Sequence, residues 1–377
     1  MSDPDARPEP DRAPGAPHPR ETPRVFGHDA AAAQFLDAFN TGRLHHGWLI
    51  TGPRGVGKAT LAWAMARFLL ATPPDAGGMF APAPATSLEI APDHPVARRM
   101  LALSEPGLFL LRRGWNEKAT PKPRLFTEIT LDEVRKLRNF FALSAPGGGR
   151  RVVIVDAADE LNRSAENALL KLLEEPPENA FLLLVSHQPM RLLPTIRSRC
   201  RELRLAPLGA DDLGAALTQA GAAADSDTTA LLALAGGSVG EALVLADLDG
   251  PATYASLVEM LRNAPDYDRP AALALAQKVS GRDQKDQLAL TLRLIQLLLV
   301  RMARAGSGLP PTPEAAPGEA ALFARLAPTQ GAARRWAALE QALTARAGHG
   351  VAVNLDPGAL ILDMIFRINE AAAKMAA

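Results

Sequence analysis

At 377 residues, 47% of them hydrophobic and 22% charged, the chain is ordinary globular material with room for two or three domains. Its 41 Lys+Arg balance 41 Asp+Glu, which excludes a global electrostatic pull onto nucleic acid or membrane; such contacts must come from a local patch or a partner. A single cysteine, Cys200, excludes an internal disulfide and a four-cysteine zinc site, and fits a reducing, cytoplasmic compartment.

Residues 1–20 are polar and proline-rich, with none of the apolar core of a signal peptide, which predicts a disordered N-terminal tail. From Val25 an alternation of helices and strands begins. It runs as a helix over 30–39, a short strand over 48–50 and a helix over 57–70 with Leu61, Met65, Phe68 and Leu69 on one face. Prolines, Gly77-Gly78 and the run A-P-A-P-A predict an irregular insertion over 72–107. A strand at 108–111 follows. Next comes a helix opened by Thr130-x-x-Glu133, a capping-box spacing, with Leu131, Val134, Leu137 and Phe141 on its apolar face.

Pro146 and Gly147 to Gly149 lead into a strand over 152–155. A helix over 163–174 turns Leu169, Leu172 and Leu173 inward and stops at Pro176-Pro177. Apolar strands over 181–185 and 203–205 complete the pattern. Strands apolar on both faces and separated by helices imply an α/β domain with a parallel sheet covered on both sides. Beyond Pro207 the pattern is helical. Residues 213–246 read as short helices, and longer ones follow to a last helix opened by Asp356-Pro357, with Leu360, Ile361, Met364, Ile365 and Ile368 on one stripe. The run Leu288 to Met302 is broken by Arg293, Gln296 and Arg301, too short and too polar for a membrane span.

Chemistry concentrates at three places. Gly52-Pro53-Arg54-Gly55-Val56-Gly57-Lys58-Ala59-Thr60 follows a strand and opens a helix, the setting of a P-loop whose backbone N–H groups cradle phosphates while Lys58 reaches the outer ones. The hydroxyl that would hold Mg²⁺ directly after the lysine is replaced by Ala59, and Thr60 falls one position late. The cradle therefore reads either as an ATP site or as an empty structural turn. Asp156 ends the strand V-V-I-V where a metal-linked carboxylate belongs, and Ala157 stands where a water-activating acid would follow; that loss is worth about 10²–10⁴ in rate. Asp159 and Glu160 lie on the next turn, where capping or solvation is the simpler role. Ser198-Arg199-Cys200, just before a strand, offers an arginine that a neighbouring subunit's γ-phosphate could meet. His45-His46 suggests a metal pair, but adjacent residues on a turn are expected to point apart.

Taken with N-A-L-L-K-L-L-E-E-P-P-E-N (167–179) and R-L-L-P-T-I-R-S-R-C (191–200), the P-loop resembles that of bacterial clamp-loader AAA+ subunits, over about residues 24–205. Within that family D-A-A-D-E-L (156–161) is similar to the delta-prime subunits of DNA polymerase III, whereas the gamma and tau motor subunits carry D-E at the strand end. The resemblance implies an AAA+ P-loop domain over 21–205, a helical lid over 206–248 and an all-helical collar for oligomerisation over 249–377. It implies a non-hydrolysing stator, partnered by gamma or tau and delta, that helps place a sliding clamp on primed DNA. Arg199 would act in trans, positioned by Ser198 and Cys200. Active members carry G-S-x-R in the lid, but here Gly237-Ser238-Val239-Gly240 ends in glycine.

Ala59, Ala157 and Gly240 are thus three vacated catalytic positions. The four-cysteine zinc module of many members has no counterpart in 72–107, so no zinc is expected. Two alternatives stay open: an active gamma- or tau-like motor using Thr60 with Asp159 or Glu160, and an ATP-sensing repair factor with no clamp partner. Partner contacts are expected from the collar, whose apolar stripes at 294–300 and 360–368 either face neighbours or line its own core.

Overall fold

The computed structural model describes residues 9–13, 15–72, 83–120, 122–142, 149–222, 228–281 and 284–376. It divides into two compact units, one of residues 1–220 with 237–240, the other of residues 221–236 with 241–377.

The first unit is built on β1 (Gly47–Thr51), β2 (Leu108–Leu111), β5 (Arg151–Asp156), β6 (Ala180–Ser186) and β7 (Arg201–Arg204), all parallel, in the order β2-β5-β6-β1-β7. A two-residue hairpin, β3 (Trp115–Asn116) and β4 (Arg124–Leu125), stands apart from this sheet. Alternation within the strands splits the core in two. Trp48, Ile50, Val152, Ile154, Leu183 and Val185 pack on one face, against α1 (Asp29–Asn40) and α2 (Lys58–Ala71). Leu49, Val153, Val155, Leu182 and Leu184 pack on the other, against α4 (Leu131–Ala142), α5 (Arg163–Glu174) and α6 (Pro194–Arg197). A strand with both sides buried has no polar alternate positions, which is why these segments read as unbroken apolar runs. This is the parallel sheet covered on both faces that the sequence predicts.

The sequence periodicity assigned α2 one apolar face, yet it is buried all round; Ala62, Trp63, Ala64 and Arg67 are covered as fully as Leu61 and Met65. Two segments expected to be irregular supply that cover. Within 72–107, Pro95–Leu101 forms a helix, α3, because His94 Nδ1 accepts from Val96 N at 3.2 Å and proline fills the first helical position. Residues 73–82 of that stretch lie outside the described residues. Of the tail expected to be disordered, residues 9–13 and 15–21 are held in place against α2. His18 is fully buried with its ring edge-on to Trp63, 5.5 Å between centroids, and Arg67 donates to Arg20 O at 3.1 Å. Low hydrophobicity misled here because ion pairs and a ring contact, not apolar burial, fasten the segment.

The first unit also holds α7 (Ala210–Gln219). In the second unit α8 (Thr228–Ala235) and the greater part of α9 (Val239–Asp247) precede α10 (Gly250–Met260), α11 (Arg269–Lys278), α12 (Lys285–Gly306), α13 (Glu319–Leu326), α14 (Gln330–Ala352) and α15 (Pro357–Ala376). Asp268, Thr329 and Asp356 cap α11, α14 and α15. Both stripes weighed as partner surfaces line this unit's own core: Leu294, Ile295, Leu298 and Leu299 on α12, and Leu360, Ile361, Met364, Ile365 and Ile368 on α15, are buried. Of the large apolar residues in 294–300 and 360–368, Val300 and Phe366 are the exposed ones. At the centre, Arg301 on α12 forks onto Glu319 at 2.7 and 2.8 Å, and Tyr254 Oη donates to the same carboxylate at 2.5 Å. Among the described residues no helix is long and apolar enough to cross a membrane.

Candidate functional site

The C-terminal ends of β1, β5 and β6 converge on one edge of the sheet, where open α/β folds place their ligands. From β1 the chain enters Gly52–Gly57. Gly52, Gly55 and Gly57 all have positive φ, 144°, 73° and 101°, a path that L side chains resist and that turns successive N–H groups into one concavity. Gly52 has a second reason to be glycine, since a Cβ there would meet Leu205 O at 2.5 Å. Val56 anchors the loop in the core at 1% exposure, and the buried His28 donates from Nε2 to Val56 O at 2.6 Å. His28 escaped sequence reasoning, because its only signal is a Gly-His pair 28 residues upstream of the carbonyl it holds.

The cradle is internally occupied. Lys58 is only 3% exposed and donates from Nζ to Gly52 O at 2.8 Å and to Pro53 O. Burial lowers its pKa to about 8, against the pull of Asp156 and Asp159. Its ammonium thus satisfies the loop that would present it to phosphates. Thr60 lies on the first turn of α2, and Pro53 and Arg54 are exposed.

Asp156 stands at the tip of β5. A sliver of the residue reaches solvent, but its carboxyl is ringed by protein. Burial, reinforced by the carboxylates of Asp11 and Glu160, pushes it up to about 7. Its folded pKa lies above the unfolded value, so ionisation costs stability: the cost is absent below about pH 4 and complete once pH has passed the folded value. Asp156→Asn is therefore expected to raise the melting temperature by several degrees at about pH 8 and by much less at about pH 4.5. Equal shifts at the two pH values would show that the carboxyl is not the source.

The acids weighed as substitutes for the missing base are engaged elsewhere. Asp159 Oδ1 accepts from His187 N at 2.8 Å, and Glu160 lies 2.9 Å from Arg113 Nε. Ala157 is buried at 3% exposure and brings no functional group. With no hydroxyl at Ala59, a weakly acidic Asp156, and Asp159 and Glu160 engaged by His187 N and Arg113, the donor set among the described residues does not fit a magnesium ion. Ser186 and His187, at the end of β6, went unnoticed in the sequence. Ser186 is fully buried, His187 is held down at about 4 mainly by burial, and neither Ser186 Oγ nor His187 Nδ1 has a hydrogen-bond partner among the described residues.

Gly240 meets the same loop. Its N–H donates to Gly55 O at 3.2 Å, and a Cβ at Gly240 would stand 3.2 Å from Gly55 Cα. At Gly55 a side chain would collide with Ser238 Oγ. The two glycines let backbone pack on backbone where a longer side chain would have to intervene.

Arg199 lies between α6 and β7, at the sheet edge opposite to the phosphate loop and beside Gly47 at the start of β1. It is half-buried, paired with Glu174 Oε1 at 2.9 Å and donating to Thr195 O at 3.2 Å; neither of these partners belongs to the P-loop. Ser198 Oγ closes the preceding turn on Thr195 O at 3.1 Å. Burial pushes the Cys200 thiol up to about 12, and its sulfur would sit 3.3 Å from a Cβ at Gly47, a packing role that leaves it unreactive. His45 and His46 stack at 4.3 Å instead of pointing apart, and each ring donates to a backbone carbonyl, of Gly47 and Leu173.

Residues 27–209 match the family described as DNA polymerase III, delta subunit. The delta-prime subunit of DNA polymerase III from Pseudomonas aeruginosa is 41% identical over 155 residues, 41% of each chain. That of Escherichia coli is 31% identical over 212 residues, 56% of this chain and 58% of its own. A gamma/tau subunit from Mycobacterium bovis is 33% identical over 183 residues, 48% of this chain and 28% of its own. The chain spans about half the length of the delta-prime relatives it matches. Over residues 27–209, then, the chain is similar to the DNA polymerase III delta-prime subunits of bacterial clamp loaders.

Proposed function

We propose that this chain is a non-hydrolysing subunit of the replicative clamp loader. In that complex it supports ATP-dependent placement of a sliding clamp on primed DNA and lends Arg199 to a neighbour's nucleotide. The observation that carries the reading is the disarmed cradle: a lysine bonded to its own loop, beside alanines where the metal hydroxyl and the base belong. Gamma or tau and delta subunits are the partners, in the cytoplasm, and residues 206–248 and 249–377 serve as lid and collar. Engagement of Asp159 by His187 N and of Glu160 by Arg113 counts against the motor alternative, since both candidate bases already hold partners.

The purified chain alone is expected to release phosphate from ATP no faster than buffer. Steady release that Lys58→Ala abolishes would overturn the reading.

A further inference from the structure

The cradle's own N-terminal neighbour has no role in the function proposed above. Residues 9–13 and 15–21 form a strap that runs from α2 to the edge of the phosphate loop. At one end it is bolted to the P-loop helix by His18 on Trp63 and by Arg67 on Arg20 O. Glu9 and Arg20 pair at 2.5 Å and hold the strap in a compact turn. Asp11 folds back to within 3.2 Å of His18 Nε2 and is ion-paired with Arg112. Arg112 directly follows Leu111 of β2, which is in register with Val155 of β5, so this ion pair lies beside Asp156 at the tip of the sheet. His18 and Arg112 hold the Asp11 carboxyl below its usual range although burial pushes the other way, so Asp11 brings a full negative charge. Ala13 reaches Gly240, its Cβ 4.0 Å from where a Gly240 Cβ would be, and Gly240 is the residue bonded to Gly55 of the loop.

We infer that this strap is a built-in stopper of the nucleotide cradle: it seats Ala13 on the Gly240–Gly55 contact and sets Asp11 beside Asp156, and a nucleoside triphosphate can enter only by displacing it. Two effects act together. The strap fixes the glycine contact that closes over the loop, and Asp11 adds an anion where the phosphates would bring their own charge. When a competent state is only fractionally populated, apparent affinity falls by that fraction. Loosening the strap therefore tightens nucleotide binding without adding any contact to the nucleotide. The inference concerns access to the cradle; the reading above concerns turnover in it.

The test is equilibrium binding of magnesium ATP to the full chain and to two variants that cut the same ion pair from opposite ends, Asp11→Asn and Arg112→Gln. Both are exchanges of similar shape, and their thermal melts confirm folding. Each variant is expected to bind at least about tenfold more tightly than the intact chain. No gain in either, or tight binding already in the intact chain that the variants weaken, overturns the stopper. A gain in Asp11→Asn alone also overturns it, since simple charge relief would then explain the result. Phosphate release is followed in parallel: turnover by a variant that binds more tightly would sink the non-hydrolysing reading and leave the stopper standing.

Discussion

Replacing Arg199 by alanine is expected to lower ATP turnover at the site it serves in a reconstituted clamp loader by about 10³-fold or more, the low end of what a trans arginine contributes. The geometry makes this variant a clean one. The side chains of Arg199 and its carboxylate partner, Glu174, are 38% and 42% exposed, so the solvent-screened pair contributes at most about 1 kcal/mol to the fold. The variant should therefore assemble normally, which size-exclusion chromatography of the complex checks. Glu174→Ala, which only frees the guanidinium, should keep turnover near that of the intact complex. Arg199→Lys should not rescue, because a point charge cannot replace the planar fork. Unchanged turnover in an assembled Arg199→Ala complex would remove the trans role and leave the similarity to delta-prime subunits untouched.

The second large effect lies far from any nucleotide. Glu319→Ala is expected to destabilise the chain by about 3–5 kcal/mol, read as a lower urea midpoint. Glu319 is fully buried and takes four donors: Arg301 Nε and Nη2, Tyr254 Oη, and Ala315 N at 2.7 Å. Removing it strands a guanidinium that also holds Ala233 O and Pro313 O, and so unpins the proline-rich loop ahead of α13. Solvent screening cannot soften this loss, since the two side chains are 8% and 0% exposed. Tyr254→Phe removes one donor of the four and should cost about 1–2 kcal/mol. A Glu319→Ala midpoint within error of the parent's would show that water repairs the gap.

Most of the first unit could be read from the chain. Strands buried on both faces have no polar positions, so 152–155 and 181–185 stood out, and α5 runs over Arg163–Glu174, the span expected ahead of Pro176-Pro177. The P-loop glycines were legible for a related reason, because only glycine tolerates the φ values found at Gly52, Gly55 and Gly57. Short range made these features visible: each is decided within a few residues by sterics or by a strand's period.

What the fold alone decided depends on residues far apart in sequence. His28 reaches Val56 across 28 positions, Arg112 reaches Asp11 across 101, and Asp159 is engaged by the backbone of His187. Residues 9–21 read as tail because their anchors are charges and a histidine, whose partners no local pattern reveals. The stripe on α12 read equally well as an interface or as a core face, since an amphipathic period says that a face is buried but not by what. By itself, then, the sequence determined the sheet, the glycine cradle and the presence of alanine at 59 and 157 and of glycine at 240, all properties of local conformation or of residue identity. Which partners Asp159 and Glu160 take and where Lys58 donates were settled only by tertiary packing, because a hydrogen-bond partner is chosen by distance in space.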